Sequence, residues 1–133
     1  MRAVSRYVPP LAVMALIFAL SATPDLSTGL GAWDLAARKL AHITIYAVLW
    51  LMLARATGWR RPIAATAVAI LYGCSDEWHQ SLVQGRHGTP VDVAIDAFGI
   101  GIAACGWVIA ARRQDAQRRK AASILTTPGS EPA

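Results

Sequence analysis

SDEWHQSLVQGRHGTPVDVAIDAFG, residues 75–99, holds four of the chain's eight acidic residues: Asp76, Glu77, Asp92 and Asp96. It also holds His79, Gln80 and Arg86, and it is flanked by the apolar runs Ile63–Tyr72 and Ala97–Ala111. An ionisable group in hydrocarbon is costly unless it is paired or wet, so such residues seldom sit in a membrane without a role. The stretch therefore reads as two membrane helices joined by a short loop, with a charged cluster where they meet. That cluster is either a functional site or an internal lock.

Composition supports the membrane reading. The chain has 133 residues, 55% of them hydrophobic, and its mean hydropathy is +0.39. A length of this order suits one domain, and a soluble domain needs less apolar residue in shorter runs. The net charge of +5 and a pI near 9.9 invite a nucleic-acid reading. That reading is set aside, because the basic residues cluster at the ends of apolar runs and no basic stripe with interleaved aromatics occurs. Cys74 and Cys105 lie inside apolar segments at a spacing that matches neither a metal motif nor a disulfide framework. They are expected to be buried small hydrophobes.

Working outward, four apolar runs are found: Val8–Ala22, Leu40–Thr57, Pro62 to about Val83, and Pro90–Ala111. The first begins at Pro9-Pro10, and Pro62 and Pro90 also stand where helices start. It is short for a span, which takes about 20 apolar residues. Arg2 and Arg6 ahead of it also permit a signal-peptide reading, so retention and cleavage both stand. Residues 1–111 form the expected transmembrane domain. Residues 112–133, basic and then rich in Pro, Gly and Ser, are expected to be a cytoplasmic tail without regular structure.

Orientation follows from the basic residues. Arg2 and Arg6, then Arg55, Arg60 and Arg61, then Arg112, Arg113, Arg118, Arg119 and Lys120 fall on one side. Only Arg38, Lys39 and Arg86 fall on the other. The expected fold is thus all-α, a polytopic bundle of four transmembrane helices with both termini cytoplasmic. Trp33 and Trp78 then fall near the outer interface, and Trp59 and Trp107 near the inner one.

This topology brings distant polar residues to one depth. Lys39, His42 and Tyr46, at i, i+3 and i+7, share a face in the first turns of the second helix. Asp76, Glu77, His79 and Gln80 occupy the last turns of the third, with Asp76 and Gln80 at i, i+4. Asp92 and Asp96, also at i, i+4, occupy the first turns of the fourth. The loop carries Arg86 over them, and His87 in that loop is expected to be solvated. Gly99, Ala103 and Gly106 continue the fourth helix's stripe as small residues that permit close packing.

Lys39-x-x-His42-x-x-x-Tyr46, Asp76-Glu77-x-His79-Gln80, Gly85-Arg86 and Asp92-x-x-x-Asp96-x-x-Gly99 together resemble the VanZ-like family of small bacterial integral membrane proteins. The resemblance runs from about Ser21 to Gly106, and its specificity lies in the order and spacing of the pieces. Gln84 stands where a proline often precedes Gly-Arg, and Asp96 stands where Asn is frequent. The resemblance implies a multi-pass protein of the bacterial cytoplasmic membrane with four helices. The family is named after a protein associated with reduced susceptibility to the glycopeptide teicoplanin, and the resemblance implies no reaction.

Several uses of the cluster stay open. As a lock, Arg86 and Lys39 would pair with Asp76, Glu77 and Asp92 and tie the loop to the bundle, a task for which the Arg fork is suited. As a site, it would bind or handle an envelope molecule, a lipid-linked or peptidyl cell-wall precursor. Arg86 and Lys39 would hold a phosphate or carboxylate, and Asp76, Glu77 and Gln80 would hold amine or hydroxyl groups. As a catalytic centre, Glu77 or Asp76 would act as base with His42 or His79 as partner. No nucleophile motif accompanies them, and Ser75 and Ser81 read as ordinary helix serines. Coupled transport lacks an acidic residue in the inner half of any span. His42, His79, Asp76 and Glu77 carry N and O donors without a recognised ligand spacing, so neither a metal nor another cofactor is expected. Tyr46 is expected to donate a buried hydroxyl to the network. The expected partners are the lipid bilayer and such a precursor, not nucleic acid; the oligomeric state is open.

Overall fold

A computed structural model describes residues 4–23, 31–86 and 88–126. They form four helices, α1 (Val4–Ser21), α2 (Ala32–Ala56), α3 (Pro62–Ser81) and α4 (Pro90–Thr126), and no strand occurs among the described residues. The all-α, four-helix expectation holds. His87 and residues 127–133 lie outside the described residues.

α2 is the central helix. It packs most extensively on α4, then on α1 and α3, and α3 also lies against α4. The α2–α4 approach depends on Gly99, because a Cβ there would run into the Ile43 carbonyl of α2. Ala103 packs against the core as expected, whereas Gly106 faces open space, so the small-residue stripe is a contact surface only in its first half. The buried centre joins Ile17, Tyr46, Leu49, Trp50, Ala54, Ala65, Ala69 and Ile100. The alanines make room for the Trp50 ring, whose Nε1–H donates to Thr66 Oγ1 at 2.8 Å. A buried indole is tolerated when its one donor finds such a partner.

Helix limits differ from the sequence reading at three places. α1 starts at Val4, so Pro9 and Pro10 lie within the helix and not at its first residue. Their fixed φ is helical, and what they forfeit is two ladder hydrogen bonds; burial of the Pro10 ring offsets part of that loss. α2 starts at Ala32, two turns before the Leu40 run, with Asp34 in its first turn where the helix dipole favours an acid. Lys39 and His42 therefore stand beyond its opening turns. α4 does not stop at Arg112-Arg113 but continues through the basic stretch to Thr126. Ala, Arg, Gln and Lys dominate that stretch, and all are good helix formers. The stretch expected to lack regular structure is thus helical as far as it is described.

The outward faces are apolar. Leu11, Leu40, Ile63, Leu71 and Phe98 are all more than half exposed. Cys74 and Cys105, expected to be buried, are free thiols on this exterior. An apolar exterior accepts them as readily as a core does. α2 and α4 are each long and apolar enough to cross a membrane, and α1 is a shorter apolar helix. At one end, Trp59 and Trp107 stack with centroids 5.9 Å apart and Trp50 tilted against both. At the other end, Trp33 and Trp78 are exposed.

Candidate functional site

The charged residues meet at the end of the bundle where α3 turns into α4. On α2, the i, i+3, i+7 spacing turns Lys39, His42 and Tyr46 to α3 and α4. Lys39 Nζ lies 3.2 Å from Asp92 Oδ1. One turn deeper, His42 Nδ1 lies 2.9 Å from Asp96 Oδ1 and 4.0 Å from Glu77 Oε1. Deeper still, the fully buried Tyr46 donates its hydroxyl to Asp76 Oδ2 at 3.2 Å, as expected. The three rungs run from the rim into the core, and burial rises along them.

Gln80 ties α3 to this ladder. Its Nε2 lies 3.0 Å from Asp76 Oδ2, 3.3 Å from Glu77 Oε1 and 3.3 Å from Ser21 Oγ on α1. Two amide hydrogens are thus shared among three acceptors. Gln80 Oε1 in turn accepts from Arg86 Nη2 at 3.3 Å. Arg86 departs from expectation, because its other bonds go to backbone and not to carboxylates. Its Nη1 donates to the Leu20 and Thr23 carbonyls, each at 3.0 Å. The reason is local: the last carbonyls of α1 have lost helical donors and carry the negative end of the dipole.

Glu77 is held from the start of α4. The Thr89 amide donates to Glu77 Oε2 at 3.2 Å. Thr89 Oγ1 donates to Asp92 Oδ2 at 2.7 Å and accepts from the Asp92 amide at 3.2 Å, which caps α4. Gly88 is required here, since a Cβ would run into the Glu77 carbonyl. Position 77 is therefore gripped through both its backbone and its carboxylate.

Asp76, Glu77 and Asp96 are 3%, 4% and 1% exposed. Two of them, Glu77 and Asp96, converge on the His42 imidazole, while Asp76 is held by Tyr46 and Gln80 and Lys39 is taken by Asp92. Asp76 Oδ1 and Asp96 Oδ2 are buried without a hydrogen-bond partner. His42, Glu77 and Asp96 each present a ligand atom, all within 4.8 Å of one another. His79, named with them from sequence, turns away: its ring stacks on Phe18 of α1 with centroids 4.4 Å apart. Ser75 and Ser81 bond their own helix, to the Tyr72 and Trp78 carbonyls.

Two cavities adjoin the ladder. One, of about 370 Å³, is lined by apolar Ile17, Leu20, Ala37, Ala41 and Ile45, with Tyr46 and Asp76 also on its wall. The other, of about 200 Å³, is the more polar of the two, with Lys39, Gln80 and Asp92 beside Leu35 and Ile95 on its wall. Arg38, His42 and Arg86 line both.

Sequence reasoning missed Arg38, Ser21 and Thr89. Thr89-Pro90-x-Asp92 was a readable cap, with Thr at N-cap, Pro at N1 and an acid at N3. Arg38 and Ser21 carried no signal beyond being polar next to an apolar run.

No curated protein and no solved structure matches the chain. Residues 3–111, which contain every residue of the ladder and both cavities, match the VanZ/LLP1 family, and the chain belongs to that family.

Proposed function

We propose that this chain is a four-span protein of the bacterial cytoplasmic membrane, with both termini cytoplasmic, that binds a lipid-linked cell-envelope precursor at its outer end. The observation that carries this reading is the pair of adjoining cavities. An apolar one suits a lipid chain, a polar one suits its headgroup, and Arg38, His42 and Arg86 line both. A volume of about 370 Å³ falls within the usual range for small-molecule sites, roughly 300–1,000 Å³. Lys39, on the polar side, would turn from its half-exposed pair with Asp92 to meet a phosphate or carboxylate. The large apolar side chains exposed on all four helices support four spans, and the excess of Lys and Arg at the far end supports the orientation.

The His42–Asp96 contact favours a second reading, in which an imidazole oriented by a carboxylate works with Glu77 as an acid/base pair on the headgroup. Product formation from a lipid-linked precursor, lost in Glu77→Gln, would distinguish this enzyme from the binding protein.

The binding reading is tested in cells by Lys39→Ala and Gln80→Ala, scored for membrane abundance and for teicoplanin susceptibility. Normal abundance with altered susceptibility supports it. Loss of the protein from the membrane in both variants makes the ladder a structural lock instead.

A further inference from the structure

We infer that His42, Glu77 and Asp96 form a binding site for one divalent transition-metal cation. The sequence offered no ligand motif, because the three donors come from three different helices. Their ligand atoms all lie within 4.8 Å of one another, with His42 Nδ1 at 2.9 Å from Asp96 Oδ1 and 4.0 Å from Glu77 Oε1. Donors about 2.0–2.2 Å from a common ion stand roughly 3–4 Å apart, so small side-chain adjustments bring all three onto one centre.

A second observation points to a cation independently of the spacing. Asp96 is 1% exposed, and while its Oδ1 faces His42, its Oδ2 is buried with no hydrogen-bond partner. That oxygen faces α3 over Gly73, where a Cβ would lie 3.5 Å from it, one turn before Asp76 and Glu77. An unpaired carboxylate oxygen in a closed site is expensive, and a divalent ion held by Asp96 and Glu77 would compensate the charge of both acids at once.

The outer bonds hold the donors for this task. The Thr89 amide fixes Glu77 Oε2, leaving Oε1 toward His42. The Gln80 amide restrains both Glu77 Oε1 and Asp76 Oδ2. Such bonds to ligating carboxylates orient metal sites. One imidazole with two carboxylates suits Mn²⁺ or Zn²⁺ better than Ca²⁺, which takes oxygen ligands alone, or Cu⁺, which prefers sulfur. The inference does not depend on the lipid reading.

The test uses the purified full chain in detergent, stripped with chelator and titrated with Mn²⁺ or Zn²⁺ alone. Saturation at one ion per chain is expected, and Glu77→Gln and Asp96→Asn, when monodisperse, should each weaken binding by about tenfold or more. No saturable binding to the wild type overturns the inference, as does unchanged affinity in both variants. Should the carboxylate variants not fold, Co²⁺ with His42→Cys decides, in a background with Cys74 and Cys105 replaced by alanine. A sulfur-to-cobalt charge-transfer band supports ligation at position 42, and its absence contradicts it.

Discussion

His42 on α2 and Asp96 on α4 meet at 2.9 Å, joining the two most extensively packed helices at their polar end. Tyr46 and Asp76 make the next rung down, at 3.2 Å between α2 and α3. Because both acids are buried, these contacts set the register of the bundle as well as the chemistry of its end. Asp96→Ala should leave the His42 ring nitrogen without this acceptor and lower stability by about 1–3 kcal/mol. Thermal unfolding in detergent measures it, and Lys39→Ala, which breaks only the half-exposed rim pair with Asp92, should cost no more than about 1 kcal/mol.

Gly99 and Gly106 should respond oppositely to the same change. A Cβ at 99 meets the Ile43 carbonyl, so Gly99→Ala must push α2 and α4 apart and cost about 1–3 kcal/mol. At 106 nothing lies within 4 Å, so Gly106→Ala should be neutral or stabilising by up to about 1 kcal/mol. Melting temperatures of the two single variants check the contrast.

Arg86 anchors the C-terminal end of α1 through two carbonyls and reaches Gln80 with its other nitrogen. Arg86→Ala should therefore raise amide hydrogen exchange around residues 18–23 while α2 and α4 keep their protection. Lys has no planar fork to span these acceptors, so Arg86→Lys should restore protection only in part.

Gln84, exposed in the α3–α4 connection, reports topology. In a chain with Cys74 and Cys105 replaced by alanine, Gln84→Cys should react with a membrane-impermeant thiol reagent added outside intact cells. Labelling only after the cells are opened would reverse the orientation.

Much of this arrangement was legible in the residues. Apolar runs interrupted at helical spacing placed His42 and Tyr46 on one face, and the i, i+4 pairs Asp76/Gln80 and Asp92/Asp96 placed their partners. Periodicity cannot tell which of several acceptors a long cation takes, which is why Arg86 was assigned to carboxylates and instead went to the end of α1. Nor does it say on which side of a helix a small residue lies, so Cys74, Cys105 and Gly106 were all expected inward and face outward. Helix ends were misplaced where propensity runs past the apolar window: at Ala32 of α2, and in the basic stretch of α4 beyond Ala111. His79 shares a turn with Glu77 yet faces α1, because two residues along a helix turn the side chain by roughly 200°.

Direct binding of a polyprenyl phosphate to the purified full chain tests whether the two cavities form one lipid site. Saturable binding is expected, which Ala41→Trp blocks by filling the apolar cavity from an exposed helix position, and which Lys39→Ala weakens on the more polar side. Equal binding by the wild type and both variants, or no saturable binding by a monodisperse wild type, would contradict it.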